Sequence, residues 1–351
     1  MVAAVIVLLS QQVLRTYVPW NGNLAALTSF AAWFLSATTE PNFYTSAPAG
    51  LGMLIGGAFA HRHRKGFVLA CGSGLWPAVV TSALLGVLVS NLVWGWTLAG
   101  GTWQPTFVPF VSVSPAIVLV FGPGWRNIVT GAVLGGVVTT PFSLLGTDYV
   151  CAPLGLPPVI GVTGGMAVGG LVAFALCRFL PWLHPQVAVD TPPPSKSRMW
   201  TVRRVLADFS EAQFFGNEWA SAGLILGAVV AYLLNPTSPV YGSGLFPQVL
   251  LAQFVTAAVG MALWRNRWLP FYPTFVPIVS VAPAAVLAYG GTLQAILVGG
   301  VLGAAVAPPL AHFLARHLPA HFHPFIGNVA SMSLSTALIV PALGLLPGFT
   351  T

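Results

Sequence analysis

Charge is what this sequence has least of. Only 5% of its 351 residues are Asp, Glu, Lys or Arg, against about 25% in an ordinary soluble domain, and 56% are hydrophobic. A water-facing surface cannot be built from so few charges, so most of the surface must meet lipid. Carboxylates are the scarcest, six against thirteen Lys and Arg. Glu40 stands beside Pro41 in a loop, Asp148 falls in an outer loop, and Glu218 opens a helix N-terminus, where the dipole stabilises it. Asp190, Asp208 and Glu211 fall in a linker or an amphipathic stretch. The apolar segments therefore offer no obvious proton carrier or paired-carboxylate sodium site. That weighs toward an anionic or uncharged substrate met by hydroxyls, amides and helix dipoles, with a sodium site of carbonyls and hydroxyls left open.

Other absences narrow the class further. Cys71, Cys151 and Cys177 lack metal or redox spacing and read as small apolar packers. No GxxxxGK[ST] is present, which disfavours ATP-driven transport by this chain alone. No HExxH, Ser–His pairing or carboxylate pair lies in an apolar segment, so the chain is expected not to be an enzyme and to need no cofactor and no metal. His312, His317, His321 and His323 cluster at one end, but Pro319 interrupts the four-residue spacing that would suit a metal. Met1 to Ser10 lacks a basic n-region and an A-x-A site and reads as a retained helix.

What the chain does contain is a row of apolar runs, most near the roughly 20 residues a spanning helix needs. The net charge of +7 comes from short basic clusters between those runs. That is the pattern of topology anchors at anionic lipid, not of nucleic-acid binding.

An internal repeat organises the runs. Residues 105–122 return at 273–290 with thirteen of eighteen positions identical, and Pro105, Pro109 and Pro115 align with Pro273, Pro277 and Pro283. Gly72-Ser-Gly-Leu-Trp-Pro77 answers Gly242-Ser-Gly-Leu-Phe-Pro247, and Pro158-Val-Ile-Gly161 resembles Pro324-Phe-Ile-Gly327. The reading is a first repeat at 48–183, a Pro-rich basic linker at 184–204, a second repeat at 205–351, and extra N-terminal membrane segments at 1–47. Val202 to Phe215 reads as an amphipathic interfacial helix.

Each repeat holds about five apolar segments, and an odd number forces two like halves into opposite orientations. The charges agree. With the linker in the cytoplasm, Arg265, Arg267 and Arg316 of the second half fall on the same side as His61–Lys65, Arg126 and Arg178 of the first. The outer loops at 97–104, 146–156, 235–241 and 290–292 carry no Lys or Arg. The positive-inside rule thus predicts inverted repeats in an inner (plasma) membrane. Stretches at 2–14 and 23–38 have no counterpart, and bring the expected all-α polytopic fold to 11–12 segments.

The third segment of each half departs from a normal span. Its prolines remove backbone donors and disfavour helix just before them, and the β-branched and aromatic run Phe107–Val113 predicts extended backbone. A short helix should follow, with Ser114 as N-cap and Pro115 at its first position. Pro283 repeats the pattern, with Ala282 in place of the cap. Pro109, Pro115, Pro277 and Pro283 then mark the breaks of two half-helices whose N-termini face a common centre near the midplane, a site for a small anionic or polar group. The expected ligands are Thr106, Ser112, Ser114, Thr274 and Ser280, with Thr163 and Asn328 on the aligned fifth segments. A strand and half-helix in the third segment of each inverted repeat, after a helix ending in basic residues (Trp264-Arg-Asn-Arg267), resembles the uracil/xanthine permease and sulfate/bicarbonate permease fold. That resemblance implies substrate binding by the paired half-helices.

The expected function is a secondary transporter or facilitator. The alternatives are a channel or a non-catalytic membrane subunit of a larger complex. Its partners would be the lipid bilayer and a small-molecule solute, with a homodimer compatible but not required.

Overall fold

A computed structural model describes residues 27–67, 70–71, 73–97, 105–186, 197–267 and 272–349. The stretch at 2–14 and linker residues 187–196 lie outside them. The described residues are all helix and loop, with no strand among them. Among the described residues six helices are long and apolar enough to cross a membrane, which makes this a multi-pass membrane protein.

Helix α1 spans Leu27–Ala37. The first half continues with α2 (Ala47–His63), α3 (Trp76–Trp94), a 3-10 turn (Pro105–Val111) leading into α4 (Val113–Phe121), α5 (Trp125–Leu154, with π turns at Gly135–Thr139 and Thr147–Cys151) and α6 (Pro158–Cys177). Helix α7 (Arg198–Ala207) then precedes the second half. That half consists of α8 (Glu218–Leu234), α9 (Phe246–Trp264), a 3-10 turn (Val276–Val279) leading into α10 (Val281–Ala288), α11 (Leu293–Arg316) and α12 (Phe325–Leu343).

The two halves share contacts as well as element order. Trp94 Nε1 donates to Gly136 O at 3.0 Å, and its counterpart Trp264 Nε1 donates to Ala304 O at 2.8 Å. The halves meet along α2 and α8, which cross antiparallel through three glycine contacts. A Cβ on Gly52 or on Gly223 would run into the other's carbonyl. One on Gly56 would meet Trp219 O, and one on Gly227 would meet Pro48 O. Lining up Gly52 with Gly223 pairs Pro48 with Trp219 and Gly56 with Gly227, so the contacts are reciprocal about one point.

The broken segments are not extended. They run as 3-10 turns, whose bonds reach three residues back, as from Ile278 N to Phe275 O at 3.0 Å. Extended backbone here would leave buried amides unbonded, at several kcal/mol each. A short 3-10 turn keeps those bonds and still admits proline. The cap also moves: the half-helices begin at Val113 and Val281 after Ser112 and Ser280, so Pro115 and Pro283 sit at the third helical position. Ser112 Oγ donates to Val108 O and Ser280 Oγ to Val276 O, both at 2.7 Å, occupying carbonyls that the break would leave open.

The expected interfacial helix over 202–215 ends at Ala207. The chain from Asp208 to Asn217 turns inward instead and is buried. The matching loop, 38–46, precedes α2. Both loops hold a phenylalanine in the left-handed region, Phe43 at φ 66° and Phe214 at φ 64°. Thr39 Oγ1 accepts from Ser46 N at 3.0 Å, and Ser210 Oγ accepts from Asn217 N at 3.1 Å. The correspondence therefore starts earlier than the sequence indicates, and α1 has a positional counterpart in α7.

Gly52→Val or Gly223→Val should destabilise the fold by about 1–3 kcal/mol through overpacking, read as a lower unfolding midpoint in detergent. Gly95→Ala, whose Cβ would meet nothing within 4 Å, should leave the midpoint unchanged.

Candidate functional site

The two inward loops meet tip to tip. Asn42 Nδ2 donates to Phe209 O at 2.8 Å, and Gln213 Nε2 donates to Thr38 O at 3.3 Å and to Asn42 Oδ1. Asn42 and Gln213 hold equivalent positions, as do Thr38 and Phe209, so each loop caps the other with an amide. Gln253 of α9 ties this junction to the second broken segment. It donates to Asn42 O and to Ile278 O, both at 3.1 Å, and accepts from Tyr44 OH at 2.8 Å.

Beside this junction lies a cavity of about 1310 Å³. Much of its wall comes in matched pairs: Glu40 with Glu211, Phe43 with Phe214, Phe107 with Phe275, Val111 with Val279, and Met166 with Met332. Leu154–Pro158 and Tyr241 complete it at one end; His312, Arg316 and His323 do so at the other. The wall is mainly aromatic and aliphatic with few polar groups, as expected of an organic-ligand site. No family model matches the chain, and no curated protein is similar to it in sequence.

Of the sequence-predicted ligands, Thr163 and Asn328 line the cavity. Thr163 Oγ1 donates to its own helix at Val159 O, 2.7 Å away. Thr106, Ser112, Ser114, Thr274 and Ser280 are fully buried and outside the lining. Ser114 Oγ packs where Cβ atoms on Gly86 and Gly135 would collide with it, so it serves the close approach of α3, α4 and α5. Pro109 packs against the same two glycines, and Pro277 against Gly303. The hydroxyls at the half-helix starts are thus engaged within packed protein, while Phe107, Val111, Phe275 and Val279 of the preceding turns reach the wall.

The carboxylates are placed quite differently from their reading as loop and linker residues. Glu40 accepts from Tyr241 OH at 2.7 Å. Glu211 joins a buried triad. Arg204 Nη1 lies 2.6 Å from Asp208 Oδ1, and Arg204 Nη2 pairs with Glu211 Oε2. Thr274 Oγ1 lies 3.1 and 3.0 Å from the two Asp208 oxygens and donates to that carboxylate. The Arg204 and Asp208 side chains are 1% and 0% exposed, and Glu211, on the cavity wall, 8%. Arg204 and Asp208 are four residues apart on the same face of α7 and its continuation, a spacing visible in the sequence, where Arg204 reads as linker and Asp208 as part of an interfacial helix. Glu218, by contrast, opens α8 as expected and pairs with Arg203 at 2.7 Å.

Burial pushes the Asp208 carboxyl up to about 7, against the pull of Arg204. It raises Glu211 too, again against Arg204. One guanidinium cannot neutralise two carboxylates, and a single proton between them makes the triad neutral. Burial lowers His323 to about 4, so it stands neutral on the cavity wall. Among the described residues no group of three or more His, Cys, Asp or Glu is placed to hold a metal ion.

Arg204→Met should cost about 3–5 kcal/mol at neutral pH, because it strands buried carboxylates. The pH dependence has a definite sign. The folded Asp208 keeps its proton from its ordinary value of 3.8 up to about 7, a range where the unfolded chain has released it. Its contribution is therefore full below that window and lost as pH rises through it. The unfolding midpoint of wild type should fall relative to Asp208→Asn as pH rises from about 5 to about 7. A constant difference would mean that Asp208 is ionised in the fold throughout. Comparing the two proteins removes the opposite slope of His323, which loses stability as pH falls.

Proposed function

We propose that this protein is a membrane transporter whose two inverted halves enclose a small polar organic solute in the cavity between them. The observation that carries the reading is the wall itself: equivalent residues from both halves face one space beside the crossing of the loops. A structural core would fill such a space with side chains.

Inversion is supported by the antiparallel crossing of α2 and α8. Reciprocal contacts about Gly52 and Gly223 describe a local two-fold axis perpendicular to both helices. If those helices stand across the bilayer, that axis lies in the membrane plane and the halves are upside down relative to one another. The distribution of Lys and Arg supports the same arrangement, with the linker ahead of α7 in the cytoplasm of an inner-membrane protein; the expected linker 184–204 is shorter, since Arg198 to Arg204 belong to α7 and Arg204 is buried.

The wall also bears on the solute. The charges on the wall balance, Glu40 against Arg316 with the Arg204–Asp208–Glu211 triad neutral, and the hydroxyls of Ser112, Ser114 and Ser280 at the half-helix starts are buried outside the lining. The aromatic pairs Phe43/Phe214 and Phe107/Phe275, with Asn328 and Thr163, suit an uncharged or cationic organic molecule with an apolar body.

Purified protein in liposomes should take up one class from a panel of radiolabelled amines, amino acids and nucleosides, saturably and with competition. Met166→Trp and Met332→Trp, which fill the cavity from equivalent positions, should each reduce that uptake at least about tenfold. Full uptake in both variants would move the site elsewhere, and non-saturable flux would make the protein a channel. Topology is tested separately, since Cys71, Cys151 and Cys177 are all buried. Thr237→Cys should react with an impermeant thiol reagent only from outside the cell, and Lys65→Cys only from the cytoplasmic face.

A further inference from the structure

We propose that the Asp208–Glu211 carboxyl pair, clamped by Arg204 and reaching the cavity through Glu211, is a proton-binding site, and that solute passage is coupled to its proton. The coupling, but not the proton site, rests on the transporter reading.

The repeat supplies its own control. The first half folds the same loop, with the same left-handed phenylalanine, the same hydroxyl-to-amide bond and the same glutamate on the wall. At the positions equivalent to Arg204 and Asp208 it carries Trp33 and Ala37. The loop therefore does not need the triad in order to form. The second half carries a buried guanidinium and a second carboxylate, a costly pair of ions where an apolar pair folds the equivalent loop. The asymmetry extends to the broken segments. Thr274 hydrogen-bonds Asp208, whereas the equivalent Thr106 hydroxyl is buried without a hydrogen-bond partner.

The chemistry is a single proton transfer. With one proton shared between the two carboxyls, the triad carries no net charge. When Asp208 gives up that proton, by way of Glu211, to water in the cavity, the triad is left with one negative charge beside Thr274. Asp208 then accepts a stronger, charge-assisted hydrogen bond from the broken segment. Proton occupancy thus acts on the segment whose Phe275 and Val279 line the cavity.

Other titratable and charged groups lie on the elements around the pair. On α7 and α8 these are Arg203 and Glu218, paired with each other. Around the cavity they are Glu40, Tyr241, Tyr289, His312, Arg316 and His323. Glu40 and Arg316 are of opposite sign, and His323 is neutral near pH 7 because it is buried.

Infrared difference spectroscopy of the full chain in lipid, titrated through neutrality, tests the site without knowledge of the solute. Wild type should show one protonated-carboxyl band that disappears around neutral pH. Asp208→Asn and Glu211→Gln should each abolish it, and Glu40→Gln should retain it. The absence of such a band in wild type, a measurement that depends on no variant folding, would overturn the proposal. So would its persistence in both triad variants. Coupling is read in the same liposomes with an entrapped pH-sensitive dye and the panel of amines, amino acids and nucleosides. Solute entry should carry protons in wild type and not in Glu211→Gln. Uptake with neither band nor proton flux would leave the transporter reading intact and remove the proton site. A titrating band with no uptake of any solute would do the reverse.

Discussion

Irregular backbone buried inside an apolar bundle must bring its own hydrogen-bond partners, and this structure is arranged around that constraint. Two loops, 38–46 and 208–217, turn inward where neither water nor a regular helix can satisfy their amides. Each solves the problem locally. A hydroxyl, Thr39 or Ser210, accepts from the amide of the residue that caps the next helix. Each solves the remainder through the other, since Asn42 and Gln213 donate to each other's loop backbone. Unsatisfied amides in hydrocarbon would cost several kcal/mol apiece. The two loops can therefore be buried together more cheaply than either alone. Their junction fixes how the halves meet, and the cavity beside it follows from that meeting.

The same constraint explains the broken segments. Prolines at 105, 109, 273 and 277 forbid a continuous α-helix, and burial forbids an open strand. The 3-10 turn meets both conditions, and Ser112 and Ser280 take the carbonyls left at the step into the half-helix. These serines hold the break closed. Their hydroxyls are engaged with their own backbone, and the broken segments reach the cavity wall through the turns just before them, at Phe107, Val111, Phe275 and Val279.

Much of this architecture could be read from the sequence, and the parts that could not share a cause. Helical spans and the 105–122/273–290 repeat were legible because apolar length and aligned prolines survive divergence. The break was legible as a break, since proline reports a missing donor. Its conformation was not, because β-branched and aromatic residues indicate strand only where a neighbouring strand exists to pair with. The inward loops were missed because their likeness lies in hydrogen-bonding roles. Thr39 matches Ser210, Asn42 matches Gln213 and Ser46 matches Asn217, and only Glu40/Glu211 and Phe43/Phe214 are identical across 38–46. Asp208 and Glu211 read as part of an amphipathic interfacial helix over 202–215 that follows a basic linker closely. Sequence distance from a linker says little about depth once the chain turns inward.

Position in the duplication also separates what the fold requires from what it has added. Features present in both halves, such as the left-handed phenylalanine, the hydroxyl cap, the glycine crossing and the tryptophan bond from α3 to α5 and from α9 to α11, belong to the shared framework. Features present in one half cannot be required by that framework. The Arg204–Asp208–Glu211 triad is of the second kind, and its ions sit where Trp33 and Ala37 show that none is needed. Burying one cation with two carboxylates offers poor stability for its cost, and its distinctive product is a proton held near neutrality between groups that reach both the cavity and the broken segment. A fold built from two like halves needs some such asymmetry if its two faces are to differ in what they bind or release, and here the difference is a titratable one.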